Sequence, residues 1–131
     1  MDLGIHVIGD LRDCDATLID DLDYVKNSLF AAAESLSVTL IADSFHNFSP
    51  QGVTGILSIA ESHISVHTWP EVSFAAIDIF TCGTKFDPML AAYLLSEKFR
   101  SQDPEYTVLN RGTGLTVTES QFSNQELWMR N

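Results

Sequence analysis

Apolar side chains recur along this chain with two periods, and each change of period marks an element. Over residues 4–9, Ile5 and Val7 alternate against His6 and Ile8, which predicts a first strand. An acidic turn follows at 10–15, and its Asp13-Cys14-Asp15 run reads as solvated loop rather than as a metal site. Between 17 and 36 the spacing lengthens to three and four. Leu22, Val25, Leu29, Ala32 and Leu36 form one helical stripe, with Asp20, Asp21 and Asp23 suited to the positive N-terminal end. Strands are predicted at 38–42, 53–60, 63–68 and 74–81, with a loop over 43–52 carrying Phe45, His46, Phe48 and Pro50. The strands at 53–60 and 63–68 leave no room for a helix between them, so they pair antiparallel. Trp69-Pro70-Glu71 closes the second, since proline cannot donate to a central ladder. Asp87-Pro88 is a cap followed by proline at the first helical position, and Met89, Ala92, Leu95, Ser96 and Phe99 make a second stripe. Final strands are expected at 106–109 and 115–118, around a turn containing Gly112 and Gly114. The tail at 120–131 carries Leu127, Trp128 and Met129, either docked or an interface patch.

The order β-α-β-β-β-β-α-β-β predicts an α/β (α+β) two-layer sandwich, a mainly antiparallel sheet with its helices on one face. The other face then needs cover. At 131 residues the chain is expected to be a single domain, 1–131, and an apolar share of 45% can fill one core. Seven basic against eighteen acidic residues give a net charge of −11, which argues against nucleic-acid binding. Charge otherwise changes little, because a solvated acidic surface serves solubility. Two cysteines make no disulfide framework, and four unevenly spaced histidines make no zinc pattern, so no metal is expected. No signal peptide or long apolar run is seen, which excludes a membrane span and makes the cytoplasm the expected location.

Candidate chemistry is concentrated in Glu61-Ser62-His63-Ile64-Ser65-Val66-His67-Thr68-Trp69-Pro70-Glu71, followed on the next strand by Thr81-Cys82-Gly83. From residue types, Ser62 is a candidate nucleophile, His67 a general base, and Cys82 an acid or second nucleophile. Strand alternation explains much of the same segment, with Ile64 and Val66 on one face and His63, Ser65 and His67 on the other. Ser62 and His67 are an odd number of residues apart and so face opposite ways on a regular strand. If they act together, the chain must bend or break near Ser62. Asp78, a carboxylate between apolar neighbours, reads as a structural hydrogen-bonding residue, and His6 as a strand residue.

These residues, with Ala76-Ile77-Asp78-Ile79-Phe80-Thr81-Cys82-Gly83 and Phe45-His46-Asn47-Phe48-Ser49-Pro50-Gln51-Gly52-Val53-Thr54-Gly55, resemble the prokaryotic S-adenosylmethionine decarboxylase proenzymes. The likeness begins near Gly4-Ile5-His6 and fades after Arg111-Gly112. It implies self-cleavage between Glu61 and Ser62 into a beta chain, 1–61, and an alpha chain, 62–131, capped by a pyruvoyl group made from Ser62. That ketone would form a Schiff base with the substrate amine and delocalise the carbanion left by carbon dioxide. By the same resemblance His67 matches the processing base and Cys82 the proton donor. Phe48 matches the aromatic that stacks on adenine and Glu71 the carboxylate that holds the ribose hydroxyls. Thr54 stands where members commonly carry serine and keeps the hydroxyl with fewer rotamers. The resemblance further implies a homodimer packed through its sheets, with sites at the interface, S-adenosylmethionine as substrate, and a product that donates aminopropyl groups for spermidine-type polyamines.

Two other readings stay open on sequence. A pyruvoyl-dependent arginine or ornithine decarboxylase would share the Glu-Ser-His and Thr-Cys-Gly core, although the Phe48 loop suits a nucleoside. A non-enzymatic dimeric binding module could use His63, His67 and Cys82 to hold a metal.

Overall fold

The computed structural model describes residues 3–83 and 86–114. In chain order these form β1 (Gly4–Arg12), α1 (Ala16–Ile19), α2 (Leu22–Ser35), β2 (Leu40–Asn47), β3 (Val53–Ile59), β4 (Ser62–Trp69), a 3-10 turn (Pro70–Val72), β5 (Phe74–Cys82), α3 (Pro88–Lys98) and β6 (Asp103–Arg111). Among the described residues the six strands make one antiparallel sheet in the order β2-β3-β4-β5-β1-β6. The first strand is thus inserted beside the fifth, and β4 lies well inside the sheet.

Alternation decides which side chains meet the helices. Val7, Leu57, Ile64, Val66, Ile77 and Ile79 point to one face and are fully buried, where Val25, Leu29 and Ala32 of α2 and Ala91, Ala92 and Leu95 of α3 pack on them. Both helices therefore cover the same side, as the expected two-layer sandwich requires. His6, Ile8, Ile56, His63, Ser65, His67, Asp78 and Phe80 point to the opposite face, which no element among the described residues covers. They range from partly buried to exposed. Among the described residues no helix is long and apolar enough to cross a membrane.

Four expectations need correction. The first strand runs on from 9 to Arg12, so the turn expected at 10–15 begins only after it. The single helix at 17–36 is two, because Asp15 and Asp21 each cap a separate start: Asp15 Oδ1 accepts from the Thr17 and Leu18 amides, and Asp21 Oδ1 from the Tyr24 amide at 3.1 Å. The strand at 38–42 runs instead from Leu40 to Asn47 and takes in Phe45 and His46, which sequence assigned to a loop. Phe45 pairs with Gly55, and its ring occupies the space where a Cβ on that glycine would lie, so it packs against the core from a strand. The strand at 106–109 extends over 103–111, with Pro104 tolerated because β6 is an edge. The strand expected at 115–118 and the Leu127-Trp128-Met129 tail lie outside the described residues.

Thr68 ties layers together. Its buried hydroxyl accepts from the Val53 amide and donates to the Ile19 carbonyl, both at 2.8 Å. Thr68→Val keeps the shape and removes both partners, so it should lower unfolding free energy by roughly 2–4 kcal/mol in urea titrations. Thr107→Val, at an exposed edge position, should stay within about 0.5 kcal/mol.

Candidate functional site

Strand β4 carries reactive groups at both ends. At its start, β3 and β4 are joined by the two-residue turn Ala60-Glu61, with Ile59 paired to Ser62. Glu61 sits at φ 60°, in the left-handed region that non-glycine residues seldom occupy. The backbone is thus strained at the residue whose carbonyl joins Ser62. Ser62 pairs with Thr81, which brings Cys82 to the same end of the sheet. Glu61, Ser62, Cys82 and Phe86 line a cleft of about 320 Å³, in which Ser62 is half-buried and the Cys82 residue exposed.

At the far end, Thr54 and His67 face each other across β3 and β4, with Thr54 Oγ1 3.1 Å from His67 Nδ1. Phe48, Trp69 and Glu71 join them around a second cleft of about 280 Å³. Phe48 keeps 48% of its surface exposed, although the His46 ring meets it edge-on at 4.4 Å. Glu71 comes from the 3-10 turn, where Pro70 ends the strand and re-aims the chain.

The candidates therefore fall into two groups, Glu61, Ser62 and Cys82 at one end and Phe48, Thr54, His67 and Glu71 at the other. Strand β4 runs unbroken from Ser62 to Trp69. Five extended residues span about 17 Å, so Ser62 and His67 of one chain do not meet. The bend near Ser62 that would unite them is absent. The metal set His63, His67 and Cys82 is not gathered either, as the two histidines alone lie about 13 Å apart along the strand. Among the described residues no three His, Cys, Asp or Glu are placed to hold a metal ion.

Residues 5–112 match the family model described as S-adenosylmethionine decarboxylase. The chain belongs to the S-adenosylmethionine decarboxylase family. It is 43% identical over 110 residues to the S-adenosylmethionine decarboxylase proenzyme of Thermodesulfovibrio yellowstonii, covering 84% of this chain and 82% of that one. The corresponding proenzyme of Clostridium kluyveri is 35% identical over 123 residues, covering 94% and 98%. Among solved structures, the crystal structure of the adenosylmethionine decarboxylase from Aquifex aeolicus superposes with a TM-score of 0.80 at 32% identity, covering 90% of this chain and 95% of that one.

Within this decarboxylase-family fold, sequence reasoning overlooked Trp69. It lines the second cleft with its ring centroid 6.3 Å from that of His67, and lies two residues beyond it on the same strand face, so alternation would have found it. Between the two clefts the uncovered face holds a third group. Asp78 meets His6 Nε2 at 2.9 Å, which bears out its hydrogen-bonding role, while His63 stacks on Phe80 at 5.8 Å. Burial, and then the neighbouring His6, push the His63 imidazole below the usual histidine range, with Asp78 opposing them. Thr81, directly across from Ser62, has a buried hydroxyl with no hydrogen-bond partner among the described residues.

The lowered His63 affinity for protons fixes the sign of a pH effect. The folded state binds this proton less readily than the unfolded chain, so the contribution is absent well above pH of about 6.5 and destabilises as pH falls through that value. Urea midpoints between pH 7 and 5 should fall less steeply for His63→Gln than for the parent.

The cysteines should also differ in reactivity. Burial pushes the Cys14 thiol up to about 11, and its Sγ donates to the Leu11 carbonyl. Mass spectrometry after brief alkylation of the native protein should find Cys82 modified and Cys14 protected until urea unfolds the chain.

Proposed function

We propose that this chain is a self-processing, pyruvoyl-dependent decarboxylase that converts S-adenosylmethionine to its decarboxylated form in the cytoplasm, supplying the aminopropyl donor for spermidine. The observation that carries the proposal is the left-handed Glu61 before a half-buried Ser62, with the Cys82 thiol on the same cleft. Family membership adds the activity named for the relatives.

The residues at this turn fit a pyruvoyl group made in place. Ser62 Oγ attacks the Glu61 carbonyl carbon, the peptide C–N bond opens, and the proton passes to the freed nitrogen, leaving an ester. The left-handed conformation at Glu61 stores backbone strain that cutting the chain there would release. Loss of the Ser62 α-proton then expels the Glu61 carboxylate. Residues 1–61 end as an ordinary carboxylate, and position 62 becomes a dehydroalanine that takes up water and loses ammonia to leave a ketone. A ketone at position 62 would supply an electron sink for the charge left by carbon dioxide.

The chain's own side chains do the rest. Cys82 lines the same cleft and supplies the proton to the carbon that loses carbon dioxide. Phe48 offers an exposed ring face for adenine, and Glu71 a carboxylate for the ribose hydroxyls. The Thr54 hydroxyl orients His67, the base for the α-proton, through their 3.1 Å contact. Because Ser62 and His67 sit about 17 Å apart on β4, a complete site takes Ser62 and Cys82 from one copy and Phe48, Thr54, His67 and Glu71 from a second. A homodimer packed through the uncovered sheet face supplies that second set.

Denaturing mass spectrometry of matured protein should find fragments of residues 1–61 and 62–131, the latter with a keto-bearing terminus, and a single intact chain for Ser62→Ala. The matured protein should release carbon dioxide from S-adenosylmethionine. Release from arginine or ornithine instead would overturn the substrate assignment, and an uncut chain that still decarboxylates would overturn the mechanism.

A further inference from the structure

We infer that Asp20 is a positioning residue that holds the loop carrying Phe48 and so sets affinity for the nucleoside. This rests on the role proposed above for Phe48. Asp20 and Asp21 are adjacent but turned to different tasks. Asp21 caps α2, whereas Asp20 Oδ1 accepts from the Gly52 amide at 2.9 Å, across 32 residues of sequence. The Gly52 carbonyl in turn accepts from the Phe48 amide at 2.8 Å and from Asn47 Nδ2 at 2.9 Å.

One residue, Gly52, is therefore held at both backbone groups, its amide by a carboxylate on the helical layer and its carbonyl by the residue that carries the ring. Gly52 has φ 106°, and a Cβ there would lie 3.1 Å from the Thr68 carbonyl, so the turn has little freedom to find another geometry. The next residue is fixed to the same helix, because Thr68 bridges the Val53 amide to the Ile19 carbonyl. Asp20 thus sits at the end of a four-residue helix that registers both the Phe48 loop and the start of the strand bearing Thr54. Without its carboxylate the Gly52 amide loses a charge-assisted acceptor, and the loop loses its tie to the core.

The test uses matured, full-length protein normalised to keto-terminus content. Asp20→Ala should raise KM for S-adenosylmethionine about tenfold with kcat within about twofold, because the loss is in holding the nucleoside rather than in the chemistry. Asp20→Asn, whose Oδ1 still accepts, should return KM to within about threefold of the parent. Asp20→Glu keeps the charge but displaces the acceptor, so it should raise KM as well and covers the case in which the alanine variant does not fold. Hydrogen exchange gives an activity-independent readout, with the Phe48 and Gly52 amides exchanging faster in Asp20→Ala while β1 and α2 stay unchanged.

Faster loop exchange with unchanged KM would overturn the inference, as would a uniform speeding of exchange accompanied by equal loss of kcat. A parent protein that releases no carbon dioxide from S-adenosylmethionine would instead sink the functional reading. The exchange measurement would then decide the anchor alone, with unchanged Phe48 and Gly52 rates overturning it.

Discussion

An extended strand cannot fold back on itself, and the arrangement of this chain follows from that constraint. Each residue of β4 advances about 3.3 Å, and cross-strand hydrogen bonds on both sides hold it straight from Ser62 to Trp69. The segment richest in reactive side chains is therefore spread along a line. One end carries the bond proposed to break and the thiol beside it, while the other carries a histidine, a hydroxyl, an aromatic ring and a carboxylate around a different cleft. Rigidity separates the two groups and fixes the distance between them.

The sheet's two faces serve different ends. On one, Val7, Ile64, Val66, Ile77 and Ile79 are sealed under α2 and α3 and belong to the buried core that stabilises the fold. On the other, histidines, Asp78 and Phe80 remain partly open, and His63 is already held toward its neutral form by the burial it has. Covering that face with a second protomer would deepen the burial and discourage charging of His63 further. In the proposed dimer, catalytic geometry and pH-dependent stability would be linked through the same surface.

Much of this was legible in sequence because local rules governed it. Period-two alternation gave the faces of β4 and β5, and Asp87-Pro88 marked the start of α3. The motif around Ser62 and its partner Thr-Cys-Gly led to the family that the comparisons show. What escaped was non-local. Nothing in the run from Asp20 to Asp23 shows that the first carboxylate reaches Gly52 while the second caps a helix. Phe45 was assigned to a loop because its place in β2 depends on a glycine ten residues away. Alternation shows that Ser62 and His67 face opposite ways, whereas their distance of about 17 Å follows from length along the strand.

The proposed site draws one group from each of two copies, and mixing two inactive variants tests that arrangement. Ser62→Ala and His67→Ala, each expected to be inactive alone, should on co-expression form a heterodimer in which one site joins an intact Ser62 to an intact His67. Random pairing would then restore roughly a quarter of the parent's sites, seen as carbon dioxide release from S-adenosylmethionine together with the corresponding fraction of cut chain. Activity no greater than that of the separate variants, from a preparation proven to contain the mixed dimer, would contradict it.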